Sequence, residues 1–352
     1  MIPANPMLGT GLHAIGAFFA SICYTPQKRV SKWSWQTYWL VQASFCWLLL
    51  PILGAWLTIP ELGAVLREAP HGAMLNSFLL GAAYGIGGTA FGISIRYIGF
   101  SLTYAIAVGL STVLGTLIPP LVNHTLGTTL SKPGATWVMA GIAIGIVGIA
   151  LTGAAGRMKE NDLRASASLG GFSIWKGLML SLLAGVLSAV YGFALAAGQP
   201  IADVATAHKA GVFSGNVIYI FSNSGAFCTT AIYCLWLHMK HKTLGEIVEL
   251  PAGPERASLP LNWVMAILTG CLWYGQFFFY NLGHVRMGNY QFTSWAIHMI
   301  MLILFSIMVG VVLREWRGSR TTTKFFVGCA FLVLVGAVLA LTWGNHLGEA
   351  AP

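Results

Sequence analysis

The chain has 352 residues, of which 56% are hydrophobic and only 8% are charged, with a formal net charge of +9 at pH 7. Soluble domains carry about 25% charged residues, so this composition excludes an ordinary soluble fold and indicates a polytopic membrane protein. The positive charge does not indicate nucleic-acid binding, because the basic residues lie in short segments beside apolar stretches, where they set membrane topology.

Ten apolar segments are long enough to cross a bilayer as helices, which takes about 20 residues each. They run over residues 8–25, 36–59, 74–95, 99–122, 135–155, 174–198, 212–237, 261–282, 292–313 and 325–344. A polar segment at 156–173 separates the first five from the last five. The predicted fold is therefore all-α and polytopic, with ten transmembrane helices and two five-helix halves at 1–160 and 161–352.

The Lys and Arg residues are distributed unevenly among the predicted loops. Of the 19, 15 follow predicted helices 1, 3, 5, 7 and 9, while only Arg67, Lys132, Lys209 and Arg286 follow the even-numbered helices. Basic loops stay in the cytoplasm, so this asymmetry predicts that both termini lie outside it.

The two halves share a repeated pattern in their middle helices. GAAYGIGGTAFGISIRYIG starts at Gly81, and GCLWYGQFFFYNLGHVRMG starts at Gly270, which pairs Tyr84 with Trp273. Five helices per half give the two copies opposite orientations in the membrane. Inverted repeats are a transporter architecture with the binding site near the midplane, so we expect a 5+5 inverted repeat.

Polar side chains are unusually dense in the apolar stretch 270–299. They are Gln276, Asn281, His284, Gln291 and His298. Polar groups at membrane depth usually face a cavity or a partner. Aromatic rings alternate with them, including Trp273, Tyr280 and Trp295. Rings cover the C–H faces of a sugar while amides and imidazoles bind its hydroxyls, so the stretch predicts a site for a small polyol.

Other tryptophans have a simpler interpretation as an interfacial belt. They are Trp33, Trp35, Trp39, Trp316 and Trp343. The belt does not explain Trp273, which lies about twelve residues into its span, nor Tyr191 at a similar depth. Gln276 follows Trp273 by one helical turn and can share its face. Ordinary helix packing is the alternative for Trp273, Tyr280 and Tyr191.

Every Asp and Glu falls in a predicted loop or at a helix edge. Exporters of cationic drugs commonly use a buried acid, so a neutral substrate is favoured. An enzyme is not predicted, since the chain has no HExxH, GxSxG or Walker motif. The six cysteines show no zinc-like spacing, so neither a metal site nor a cofactor is predicted.

Two histidines lie inside predicted spans, His13 in helix 1 and His298 in helix 9. Imidazole titrates near neutral pH, so either could carry a proton during transport. The alternative is a neutral histidine hydrogen-bonded between helices.

Several motifs together resemble the L-rhamnose–proton symporter family, part of the drug/metabolite transporter superfamily. They are LHAIG (12–16), YTPQKRVSKWSWQT (24–37), IRYIG (95–99), GTLIPP (115–120), WYGQFFFY (273–280), GHVR (283–286), SWAIHM (294–299) and LREW (313–316). The resemblance extends over nearly the whole chain. It implies ten helices in the bacterial inner membrane and alternating-access uptake of a neutral 6-deoxyhexose, L-rhamnose first, with protons. Gln291 departs from the resemblance, because family members often carry an acid there.

The residues expected to contact the sugar come from both predicted halves. They are His13, Tyr84, Tyr191, Trp273, Gln276, Tyr280, Gln291 and Trp295. His298 and His13 are the expected proton carriers, and the expected partners are sugar, protons and lipid. Two alternatives stay open: an uncoupled facilitator or exporter of another sugar or neutral metabolite, and a membrane sugar sensor.

Overall fold

Helices make up all the regular secondary structure in the part of the chain that the computed structural model describes, residues 3–98, 100–122, 127, 130–164, 174–252 and 257–350. In chain order they are α1 (Pro6–Ile22), α2 (Trp35–Thr58), α3 (Leu62–Glu68), α4 (His71–Ile98), α5 (Phe100–Val122), α6 (Ala135–Arg164), α7 (Ile174–Ala197), α8 (Gln199–Ala207), α9 (Ile218–His241), α10 (Leu259–His284), α11 (Ser294–Val312) and α12 (Thr321–Ala350). The middle of α2, Ser44–Leu49, is π-helical. Short 3₁₀ turns at Gly211–Val217 and Gly288–Thr293 precede α9 and α11.

Eight helical segments within the described residues are long and apolar enough to cross a membrane. This confirms the predicted all-α polytopic class. Phe100–Val122 contributes a shorter apolar stretch, Leu102–Ile118. Leu259–His284 spans 26 residues but is not among the eight, because Asn262, Gln276 and Asn281 lower its hydropathy. The count of ten spans and the 5+5 repeat therefore stay predictions.

The segment predicted as a polar loop at 156–173 is partly helical. Helix α6 continues to Arg164, because this stretch contains good helix formers such as Met158, Lys159 and Glu160. The rest of the predicted loop, 165–173, lies outside the described residues. Short helices α3 and α8 also occupy segments that were predicted as loops.

The chain divides into two compact units, and each is made of segments that are distant in sequence. Unit 1 comprises Met1–Ser21, Gly87–Gly192 and Phe279–Pro352, and unit 2 comprises Ile22–Ile86 and Phe193–Phe278. The chain passes from one unit to the other only inside helices. These units are a different division from the sequence halves 1–160 and 161–352, which remain a prediction about the repeat.

In unit 1, α6 packs along α12, and α5 packs on α6 and α11. Leu334, Ala337 and Leu341 of α12 are completely buried. At the far end of α6, the Asp162 carboxylate accepts hydrogen bonds from the Thr323 hydroxyl at 2.7 Å and the Arg320 amide at 2.9 Å. These bonds hold the pKa of Asp162 below its usual value and cap α12.

In unit 2, the short helices α3 and α8 share an apolar core with the end of α2. Ile59, Val65 and Ile201 are buried there. Directly after α8, both ring nitrogens of His208 lie 2.9 Å from carboxylates, Nδ1 from Glu61 and Nε2 from Glu68. The hydrogen bonds to Glu68 and Glu61 raise the pKa of His208 above 6.5.

The KWSWQT motif of unit 2 docks the start of α2 onto the segment before α10. The Ser34 amide and the Thr37 hydroxyl donate to the Glu246 carboxylate at 2.7 and 2.6 Å, and the Trp33 indole donates to the Glu246 carbonyl at 2.7 Å. The Gln36 amide donates to the Thr243 hydroxyl at 2.8 Å. The Glu246 carboxylate therefore accepts a hydrogen bond from the Ser34 amide at the start of α2. Its negative charge also interacts favourably with the positive end of the helix macrodipole.

Candidate functional site

Unit 1 contains a cluster of imidazole and aromatic rings centred on Tyr280, hereafter the imidazole cluster. The Tyr280 ring centroid lies 5.2 Å from that of His13, 5.4 Å from His298 and 5.7 Å from Trp295. The His13 and His298 rings are 5.9 Å apart. Helices α1, α10 and α11 each contribute. His13, near the start of the chain, thus lies close to three other predicted site residues from the second half of the chain.

A missing side chain at Gly283 lets α1 approach α10 at this cluster. A Cβ built on Gly283 would lie 2.9 Å from the Gly9 carbonyl oxygen and 3.0 Å from the His13 ring. Any larger residue would push the imidazole away from Tyr280. The GHVR motif therefore has a packing reason for its glycine, because small residues allow helices in a membrane to pack closely.

A short chain of hydrogen bonds holds the Trp295 indole. Its Nε1 donates to the Ser111 carbonyl oxygen at 3.0 Å and lies 3.3 Å from the Ser111 hydroxyl. That hydroxyl donates to Ser188 Oγ at 3.0 Å. Since α5, α7 and α11 all take part, the indole face next to Tyr280 is fixed in orientation.

His13 is the least satisfied polar residue of the imidazole cluster. Its side chain is completely buried, and neither ring nitrogen has a hydrogen-bond partner among the described residues. Buried polar atoms are normally hydrogen-bonded, and a neutral imidazole has one donor and one acceptor to satisfy. A ligand hydroxyl could accept from one ring nitrogen of His13 and a second hydroxyl could donate to the other.

The other unit 1 candidates have different surroundings. His284 stacks on Tyr280 with ring centroids 5.7 Å apart, and its Nδ1 lies 3.0 Å from the Ser294 hydroxyl. Gln291 is exposed in the turn before α11, where its amide donates to the His284 carbonyl at 3.2 Å. Tyr191 is completely buried in α7.

Unit 2 contains a second group of rings around Trp273, hereafter the indole cluster. The Trp273 ring lies 5.1 Å from Tyr24, 5.3 Å from Trp47 and 5.9 Å from Trp39. Tyr84 packs on the opposite side of Trp47 at 6.0 Å. Three rings, from α2 and from the turn after α1, thus contact one predicted sugar-stacking tryptophan of α10, and Gln276 is buried one turn further along α10.

Three members of the indole cluster were not predicted from the sequence, namely Tyr24 and the two tryptophans of α2. Trp39 was interpreted as an interfacial belt residue and Trp47 was not considered, yet their side chains are only 1% and 0% exposed. The π-helical stretch explains the miss. In a regular α-helix, residues eight apart differ by about 80° around the axis, whereas one extra residue in a π turn reduces the difference to about 20°. Trp39 and Trp47 therefore both face Trp273.

Ionisable groups suited to enzyme or metal chemistry do not gather at either cluster. Among the described residues, no Asp or Glu side chain is buried, and no group of three His, Cys, Asp or Glu residues could hold a metal ion. The imidazole cluster contains side chains of the type that exchange protons, and both clusters contain aromatic rings of the type that cover the apolar face of a small neutral ligand.

Comparison with known proteins decides the family. Residues 3–345 match the family described as L-rhamnose-proton symport protein (RhaT). The chain belongs to this family. Its members are transporters, and the motifs that suggested the resemblance, including SWAIHM with Trp295 and His298, lie within the matched range. The protein is therefore a multi-pass membrane protein of the bacterial inner membrane.

Individual relatives agree over almost their full length. The chain is 31% identical to the L-rhamnose-proton symporter of Mannheimia succiniciproducens, covering 96% of this chain and 98% of the relative. It is 32% identical to the L-rhamnose-proton symporter of Cronobacter sakazakii, covering 95% and 97%. One solved crystal structure of a protein superposes with a TM-score of 0.54 over 96% of this chain and 97% of that chain. Its 16% identity shows a shared fold and nothing more.

Proposed function

We propose that this protein imports a neutral 6-deoxyhexose, with L-rhamnose as the first candidate, together with protons by alternating access. The observation that carries the proposal is the family match over residues 3–345 combined with the imidazole cluster. A neutral sugar suits a protein whose described carboxylates all lie outside the buried core. Trp273 or Tyr280 would cover the C–H face of the sugar.

His298 and His13 are the proposed proton carriers. Their rings are 5.9 Å apart and completely or almost completely buried. Two imidazolium charges this close inside a protein would repel each other strongly, so the pair suits one proton at a time. Sugar hydroxyls near Tyr280 would change the hydrogen bonding of either ring and so link proton uptake to sugar binding.

The remaining site residues are proposed as supporting contacts. Tyr84 is part of the ring network around Trp273, and Gln276 offers an amide on the same helix. Trp295 presents an oriented indole beside Tyr280. Gln291 and Tyr191 are proposed to meet the sugar only in another conformation, because Gln291 is exposed and Tyr191 completely buried here.

The proposed topology has ten spans in a 5+5 inverted repeat, with both termini periplasmic. Helices α5 and α10 would be the two spans beyond the eight, since the 26 residues of α10 rise about 39 Å, more than the bilayer core of about 30 Å. The 15-to-4 distribution of basic residues supports the orientation. Reporter fusions at the C-terminus should be active as periplasmic reporters, and cytoplasmic activity there would reverse the orientation.

Uptake into proteoliposomes tests the transport proposal. Labelled L-rhamnose should accumulate against its gradient when the outside is acidic, and an uncoupler should stop the accumulation. Equal uptake with and without the pH gradient would favour the uncoupled facilitator. Binding without any uptake would favour the membrane sensor.

A further inference from the structure

A buried amide lies beside the indole cluster of unit 2. Gln42 of α2 is completely buried, and neither its side-chain nitrogen nor its side-chain oxygen has a hydrogen-bond partner among the described residues. A side-chain amide has two N–H donors and an acceptor oxygen. Leaving such a group unpaired inside a membrane protein is unfavourable, because no water is there to replace the missing partners.

The neighbours of Gln42 show the same deficiency. The indole Nε1 atoms of Trp39 and Trp47 are also buried without a partner among the described residues. Trp39 precedes Gln42 by three residues, about one helical turn, and Trp47 lies on the same side because of the π-helical stretch Ser44–Leu49. Unpaired donors and an unpaired acceptor therefore collect on one side of α2, and the Trp39 and Trp47 rings on that side contact the ring of Trp273.

This combination matches the chemistry of a pyranose. Indole rings stack on the C–H face of a sugar. A side-chain amide can accept from one hydroxyl and donate to the next, so it pairs with two adjacent hydroxyls at once. The amide carries no charge, which fits a neutral sugar. Inserted π turns are also frequent at functional sites, which is consistent with a binding role for this part of α2.

We propose that Gln42, together with the Trp39 and Trp47 indoles, forms a sugar-binding subsite in which the Gln42 amide pairs with adjacent hydroxyls of the pyranose stacked on Trp273. The inference rests on the proposed function, since it assumes a neutral sugar as substrate. Both indoles and Gln42 are closed to water here, so the subsite forms when the rings of unit 2 part to admit the sugar.

A pair of matched glutamines on α2 provides the test. Gln36 is also buried but satisfied, because its amide donates to the Thr243 hydroxyl at 2.8 Å. Gln42→Met and Gln36→Met replace each amide by an apolar side chain of similar size. The binding constant for L-rhamnose and the Tm without sugar are measured for the purified full chain in lipid nanodiscs.

The two variants should respond in opposite ways. Gln42→Met should weaken L-rhamnose binding about ten-fold or more while keeping or raising the Tm, because it removes an unpaired buried amide. Gln36→Met should lower the Tm and leave the binding constant unchanged. A Gln42→Met protein that binds L-rhamnose as tightly as wild type would overturn the subsite.

Two further measurements test whether Gln42 contacts the sugar or only supports the fold. The first uses L-rhamnose analogues that each lack one hydroxyl. One or two of them should bind wild type weakly and bind Gln42→Met no more weakly than L-rhamnose does. If the losses in binding free energy from the missing hydroxyl and from Gln42→Met add up fully for every analogue, the contact is contradicted. If Gln42→Met does not fold while Gln42→Asn folds and binds normally, Gln42 is structural and the proposal fails. If wild type itself binds no L-rhamnose, the proposed function fails first.

Discussion

The two ring clusters of this protein look alike in composition but differ in what they can do chemically. The imidazole cluster of unit 1 groups the rings of His13 and His298 around one tyrosine, on which His284 also stacks. The indole cluster of unit 2 groups tryptophans and tyrosines around Trp273, with no histidine in those ring contacts among the described residues, and its helix α2 also carries the neutral amide of Gln42. The comparison suggests a division of labour in which the first cluster handles the proton and the second recognises the sugar.

The contrast supports the proposal that proton coupling here needs no buried carboxylate, since none is buried among the described residues. Among the described residues, the acids are confined to positions such as Glu61, Asp162 and Glu246, where they bind helix ends or a histidine. Imidazole is the remaining type of buried side chain whose ordinary pKa lies near neutral. Replacing His13 or His298 in unit 1 should therefore alter coupling, whereas changes in the indole cluster of unit 2 should alter affinity.

Removing the stacking surface of the indole cluster should have the largest effect on affinity. Trp273→Leu keeps an apolar side chain but removes a ring contact, so L-rhamnose binding should weaken about ten-fold. The pH dependence of whatever uptake remains should be unchanged. Trp263→Leu is the control on the same helix, since its indole donates to the Ile247 carbonyl instead. Equal affinity of Trp273→Leu and wild type, measured by isothermal titration calorimetry, would remove Trp273 from the site.

A smaller effect is expected from the hydrogen bonds that orient Trp295. Ser111→Ala removes one acceptor for the indole and the bond to Ser188, but the Ser111 carbonyl remains at 3.0 Å. The KM for uptake should rise by about two- to five-fold, with the maximal rate and the pH profile preserved. Ser306→Ala on α11, whose hydroxyl bonds only its own helix, serves as the control. A change in pH profile without a change in KM would contradict a positioning role.

The smallest effect should come from His208, which contacts neither cluster. Its folded-state pKa lies above 6.5, so its bonds to Glu61 and Glu68 contribute their full stability below that pH and lose it as pH rises through the raised pKa. The Tm of wild type should therefore fall slightly over this range, and His208→Gln should flatten that part of the curve. L-Rhamnose affinity should not change. A Tm that rises with pH through this range would contradict the assignment.

The sequence predicted the imidazole cluster better than the indole cluster. Apolar length predicted the helices, and the aromatic and polar residues of 270–299 pointed to Tyr280, Trp295 and His298, which the structure brings together with His13. Trp47 could not be found in this way, because the π-helical stretch Ser44–Leu49 changes which later residues of α2 share a face with Trp39 and Gln42. The helical continuation of α6 to Arg164 was missed because charge was interpreted as loop rather than as an exposed helix end.

The sequence likewise could not show which buried amides have hydrogen-bond partners. Gln36 and Gln42 are the same residue type on the same helix, yet one has a partner and the other has none among the described residues. The difference arises from the docking of the KWSWQT motif onto residues 243–246, which brings Thr243 to Gln36. Only tertiary contacts distinguish a structural amide from one that is free to bind a ligand.

The division of labour is tested most directly by measuring two kinds of transport in the same proteoliposomes carrying His298→Gln. One is accumulation of labelled L-rhamnose driven by an acidic exterior, and the other is exchange of labelled for unlabelled L-rhamnose without any gradient. Glutamine keeps a hydrogen-bonding group but cannot titrate, so accumulation should be abolished while exchange continues at a reduced rate. His346→Gln, outside both clusters, should behave as wild type. Full accumulation by His298→Gln, or loss of exchange together with accumulation, would contradict the account.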